Sequence, residues 1–191
     1  MNETAVASVT LREWIAQAES VRAEARAIAS ELTTEQFNWR AGSSRWSVGQ
    51  CLHHITLTVQ LYPDGIERMI AEARTREAAG ERPYREGRIS RLVVNGMEPP
   101  PKLRMRTKRS VVPALELEVA GVLAAFDATM QRLEQLMLAA DGISLRHGRM
   151  RSPFMPLLRF TLGQVLAMNL AHARRHLWQA RAVLRQPGFP R

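Results

Sequence analysis

The sequence predicts an all-α protein: a four-helix bundle with a long crossover between helices two and three. Three observations lead there. Four stretches repeat apolar residues at the three- and four-residue spacing of an amphipathic helix. No strand alternation, internal repeat or low-complexity tract competes with them. One proline-broken connection of about 40 residues is long enough to return the chain along the bundle, so that helices two and three can run parallel. With 191 residues, the chain suits one domain, 1–191, around a single core.

Helix one is expected from about Leu11 to Leu32, with Leu11, Ile15, Ala18, Ala25, Ile28 and Leu32 on one stripe and Thr10 with Glu13 as a capping box. A link, 33–45, ends in Ala-Gly-Ser-Ser. Helix two opens at Ser47, with Gln50 three residues on as the other half of a capping box. Its stripe runs through Val48, Leu52, Ile55, Val59, Tyr62, Ile66, Met69 and Ile70 and fades near Arg74, with Pro63 placed to kink or break it. The crossover, 75–113, holds Pro83, Pro99, Pro100, Pro101 and Pro113 and has room for one short helical piece. Helix three is expected from near Pro113, a suitable first-turn residue, to about Ala140, with Gly142 as its stop. Residues 143–157 read as irregular, and helix four runs from about Leu158 to Leu184, ahead of Pro187.

The charge balance is basic, +9, almost all of it arginine, since Lys102 and Lys108 are the only lysines. Residues 75–115 hold eight Arg and two Lys against four Glu, a local net of +6, so the excess sits in the crossover. Such a concentration favours anionic partners. A nucleic-acid reading is nonetheless weak, because the segment is broken by prolines and offers only Tyr84 as a base-stacking ring. Cys51 is the single cysteine, which excludes an intramolecular disulfide and suits a reducing compartment. The first residues lack the basic-then-apolar order of a signal peptide, and no run approaches the ~20 apolar residues of a membrane span. A soluble, cytoplasmic protein with no membrane partner is expected.

The chemistry concentrates in His172 and His176, four apart on helix four. That spacing puts both imidazoles on one face, on the apolar stripe of Leu162, Val165, Leu166, Ala173, Ala180 and Val183. Two core-facing histidines without a neighbouring carboxylate suit a divalent metal. The alternative is a pair of core-edge histidines satisfied by Asn169, Gln179 or water. A third ligand must come from His53, His54 or His147, and His147 lies in a basic loop that opposes a cation. At ~100° per residue, His54 falls roughly 110° and His53 roughly 150° from the centre of the helix-two stripe, which does not choose between them.

The run Leu32 to Arg40, with Asn38-Trp39-Arg40, followed by Arg45-Trp46-Ser47-Val48-Gly49-Gln50-Cys51-Leu52-His53-His54-Ile55, resembles the DinB/YfiT-like family. That family opens helix two with Trp-Ser, places a histidine eight residues after the Trp, and carries His-x3-His near the end of its last helix. Here these are Trp46, His54, and His172 with His176, followed by Gln179. The resemblance spans essentially the whole chain in order and spacing. It implies a four-helix bundle with a long second connection, a site of His54, His172 and His176 for zinc or nickel, and frequent homodimers. Characterised relatives include thiol-dependent S-transferases and a thiol-dependent isomerase, and many are described as metal-dependent hydrolases. His53 stands where the family varies and is a competing ligand.

Around this site Trp46 and Ser47 are expected to staple and cap helix two, and Cys51 to be a buried inert thiol. Gln50 and Asn169 are candidates to orient the imidazoles. Arg174 and Arg175, beside the pair, are candidates to bind an anionic substrate or a low-molecular-weight thiol cofactor, against the plainer reading of a solvated helix face. The absence of His-Glu-x-x-His excludes the zinc-peptidase helix, and the absence of Glu-x-x-His argues against a di-iron bundle. No glycine-rich phosphate loop or Gly-x-Ser-x-Gly is present. The leading expectation is a metal-dependent enzyme for a small-molecule substrate, activating water for hydrolysis or a thiol for S-transfer. The alternatives are a non-catalytic metal- or ligand-binding dimer and, behind it, a basic nucleic-acid-binding helical protein.

Overall fold

The computed structural model describes residues 6–76, 84, 87–100, 107–154 and 157–191. Pro83, Pro101 and Lys102 of the crossover, and Pro156, lie outside the described residues. Seven α-helices and one small hairpin are described. In chain order they are α1 (Val9–Ala29), α2 (Thr34–Asn38), α3 (Val48–Val59), α4 (Pro63–Thr75), α5 (Arg88–Met97), α6 (Val119–Ala139), β1 (Met150–Arg151), β2 (Arg159–Phe160) and α7 (Leu162–Leu184). The bundle rods are α1, the α3–α4 pair, α6 and α7; no described helix is long and apolar enough to cross a membrane.

Side-chain pairing sets the directions. Gln60 meets Thr129, Arg132 meets Glu67, and Arg74 donates to the Ala139 carbonyl, so α3–α4 and α6 ascend together. Arg174 reaches Gln17 and Arg181 reaches Glu24, so α1 and α7 are also parallel. Arg22 on α1 forks to Asp127 and Glu134 while Asp141 meets the chain before α1, which makes α1 and α6 antiparallel. Each of α1 and α3 packs mainly on α6 and α7. Rods joined by the shorter links therefore stand diagonally, and the long crossover connects two parallel neighbours, as its length suggested. One buried cluster joins all four, with Phe37, Leu52, Ile55, Phe126, Met130, Leu162, Leu166 and Leu170 fully enclosed.

The expected punctuation holds in helix two. Ser47 and Gln50 form a reciprocal capping box, and Pro63 starts α4 from its first turn, splitting the rod. Elsewhere long-range contacts move the boundaries. α1 begins at Val9, capped by Ser8 instead of Thr10, because the Asp141 carboxylate accepts the Ala7 and Ser8 N–H groups and fixes that entry. α6 begins at Val119 and not near Pro113. The Asn38 side chain both donates to and accepts from the Leu117 backbone, keeping it out of the helix, and the extended Glu118 caps Ala120 and Gly121 with its carboxylate. α7 begins at Leu162 with its own Thr161–Gln164 capping box, and the residues before it pair with β1, Met150 opposite Phe160. The link after α1 also holds a helix, α2, whose Phe37 is buried against Gly49; a Cβ there would stand 2.5 Å from the Phe37 ring, so the close approach requires glycine.

Candidate metal centre

Antiparallel α3 and α7 bring their histidines together. His54 comes from α3, and His172 and His176 come from successive turns of α7, with His54 and His176 buried and His172 half-buried. Ring centroids lie 5.2 Å (His54–His172), 4.6 Å (His54–His176) and 4.5 Å (His172–His176) apart. One nitrogen from each ring falls within 4.8 Å of the others. Nitrogens sharing one tetrahedral ion at ~2.0–2.1 Å stand about 3.3 Å apart, a closure that small side-chain rotations supply.

Hydrogen bonds fix which nitrogen each ring offers. His54 Nδ1 lies 2.7 Å from the Val111 carbonyl, which can only accept, so this nitrogen carries the proton. His176 Nδ1 lies 3.1 Å from Gln179 Oε1, again an acceptor. Thr58 Oγ1 directs its own proton to the His54 and Ile55 carbonyls at 2.9 Å, which leaves it an acceptor for His172 Nδ1 at 3.4 Å. All three rings are therefore Nδ1–H tautomers with Nε2 lone pairs to offer. Ligand histidines characteristically donate their second nitrogen in this way.

Electrostatics keeps the rings neutral. Burial pushes His172 down to about 3 from an ordinary 6.5, with the His54 and Arg175 charges adding to the effect. Burial also holds His176 well below its ordinary value, aided by His172, His54 and Arg175 and opposed by the Gln179 hydrogen bond. His54 is lowered by burial and by His53, while the bond to Val111 works the other way. Trp46 closes one side, its ring centroid 4.7 Å from His54 and 5.6 Å from His176.

The other sequence candidates separate. His53 is outside the three-ring cluster, and its Nδ1 is buried with no hydrogen-bond partner among the described residues. His147 is also outside it, in the loop before β1. Cys51 is fully buried, and desolvation raises its thiol far above the ordinary range, so it carries no thiolate. Ser47 caps α3, whereas Trp46 packs on the imidazoles themselves, a contact its stapling role did not anticipate. Gln50 and Asn169 do not orient the rings: Gln50 completes the capping box and donates to the Ala114 carbonyl, and Asn169 donates to Val165 of its own helix. Thr58, Gln179 and the Val111 carbonyl take that part. Arg174 turns away to pair with Glu98 and Gln17, whereas Arg175 lines a cavity beside the histidines. Tyr84 lays its ring edge-on against Trp14, at 5.6 Å.

That cavity measures about 330 Å³ and is entered by the three imidazoles. Its other walls come from Thr58 of α3, from Tyr62 at the start of α4, from Met97 at the end of α5, from Lys108 and Val111 of the crossover, and from Phe154 after β1. The crossover and the hairpin are thus the elements that convert a bundle surface into a recess.

The family model of the DinB superfamily matches residues 17–180, a span containing all three histidines, Trp46 and Gln179. A solved structure of the same fold is that of YfiT from Bacillus subtilis, described as "a probable metal-dependent hydrolase with an unusual four-helix bundle topology". It superposes with a TM-score of 0.60 at 17% identity, covering 97% of this chain and 91% of that one. No curated protein matches the sequence. The motif, the bundle topology and the family match agree: the chain belongs to the DinB superfamily.

Proposed function

We propose that His54, His172 and His176 hold one divalent transition-metal ion, and that the protein is a metal-dependent enzyme acting on a small molecule. The observation that carries this reading is the convergence of three neutral imidazoles, each with its Nδ1 proton already accepted by Val111, Thr58 or Gln179. Histidine is a good ligand for zinc and nickel, and a three-histidine set leaves coordination positions open. When bound, such an ion supplies a Lewis acid that lowers the pKa of water or of a thiol into the neutral range. The chain's own residues do the rest. Val111, Thr58 and Gln179 aim the rings, Trp46 covers them, and the cavity admits a substrate of modest size. Water-dependent hydrolysis and thiol S-transfer both fit this arrangement. The description of YfiT as a metal-dependent hydrolase supports the first.

A panel of esters, and of electrophiles paired with small thiols, tests the proposal on protein reconstituted with zinc or nickel. Turnover that disappears on chelation and in His172→Ala is expected. Stoichiometric metal with no turnover of either class would leave a ligand-binding module in place of an enzyme.

A further inference from the structure

The charge that the described residues bring to the cavity is one-sided. Among the described residues that line it, Lys108 and Arg175 are cationic and none is Asp or Glu. The three imidazoles are neutral and contribute no negative charge to offset a divalent ion. A lysine ammonium has three donors, and Pro153 takes one of those on Lys108, through a neutral carbonyl at 2.9 Å. The same ammonium sits 5.8 Å above the Phe154 ring, which holds it at the cavity wall. Lys108 is exposed and Arg175 half-buried, and positive charge at the opening of a recess draws anions into it.

The remaining lining shows what that anion is attached to. Met97, Phe154 and Met168 offer apolar surface. Tyr62 is only 3% exposed, lines the same cavity, and its hydroxyl meets no hydrogen-bond partner among the described residues. Tyr62 lies at the break between α3 and α4, and with His54 and Thr58 it lines the same side of the cavity. The hydroxyl itself is not sealed off, so it is open to the cavity and available to bond a group there.

We infer that the cavity binds a small organic anion, a carboxylate on an apolar body, with Lys108 and Arg175 as the residues that select the charge. This rests on the proposed metal centre for its catalytic meaning, but its charge selection belongs to the protein. Tyr62 is placed to hydrogen-bond the ligand's polar end or a polar group along its length.

Calorimetric titration of phenylacetate and of neutral phenylacetamide tests this, on zinc-loaded and on metal-free protein. The carboxylate should bind more tightly in both forms. Lys108→Met and Arg175→Met should each weaken phenylacetate about tenfold or more, the scale of losing a charge-assisted hydrogen bond, and leave phenylacetamide unchanged. Lys108→Arg and Arg175→Lys should keep the preference, which separates loss of charge from loss of fold. Zinc content should stay the same in all four variants. Equal binding of the two probes, or methionine variants that bind phenylacetate as well as the parent, would overturn the inference while leaving the metal centre intact. Protein that takes up no zinc would overturn the metal centre, and the metal-free titrations alone would then decide the charge selection.

Discussion

His172 and His176 were legible as a pair because four residues make one helical turn, whatever surrounds them. Choosing His54 over His53 was not possible from periodicity. α3 is buried nearly all round, with Val48 to Leu52, His54 to Thr56, Thr58 and Val59 all inside, so its apolar stripe has no narrow centre from which to measure an angle. The motif eight residues after Trp46 pointed to His54, and the structure puts that ring in the cluster. The acceptors that aim the rings were harder to see. Gln179 was visible three residues beyond His176, but Val111 acts through a backbone carbonyl 57 residues from His54, which no side-chain pattern reveals. At this scale Gln179→Ala should lower zinc affinity by about 10–100-fold while the fold persists, since an unaimed imidazole is a poorer ligand. Competition against a fluorescent chelator reads this directly; unchanged affinity would remove Gln179 from the site's support.

Among the elements, the boundaries set by local chemistry were legible and those set by distant partners were not. Ser47 with Gln50 and Pro63 act within one or two turns, and their effects appear as expected. Thr10 lost its cap role because Asp141, from the far end of α6, organises the residues before α1. The start of α6 shifted because Asn38 ties up the Leu117 backbone ahead of it. The hairpin escaped notice because two-residue strands are too short to show alternation. The hairpin leads Phe154 into the cavity wall, and the crossover, which the sequence did mark out, brings Val111 and Lys108. The α2–α3 contact offers a direct test. Gly49→Ala would drive a methyl into the buried Phe37 ring and should destabilise the protein by about 1–3 kcal/mol, the range for overpacking a filled core. A urea midpoint equal to that of the parent protein would show that α2 can move away freely.

For the whole molecule, the bundle and the site make separate demands. The apolar core of Phe37, Phe126, Met130, Leu166 and their neighbours joins all four rods by its own packing, so chelation should leave the far-ultraviolet circular dichroism unchanged. The site's demand appears as pH dependence. In the unfolded chain these histidines protonate near 6.5, whereas in the folded metal-free protein burial lowers all three, His172 to about 3. Between those values the unfolded state binds more protons, so the folded state's stability is complete above about pH 6.5 and falls as pH drops from there towards 3. Urea titrations across that window should show the decline, and His172→Ala should flatten it; a flat profile in the unmutated protein would mean that the rings are not buried neutral.

The proposed metal centre requires two rods of the bundle to grip one ion. Elemental analysis of protein purified without chelators or affinity-resin metal decides this, run beside His54→Ala, His53→Ala and His172→Ala. One divalent ion per chain is predicted for the parent protein and for His53→Ala, and background metal for the other two. Metal retained undiminished by His54→Ala or His172→Ala, or absent from the parent protein after incubation with zinc and nickel, would contradict it.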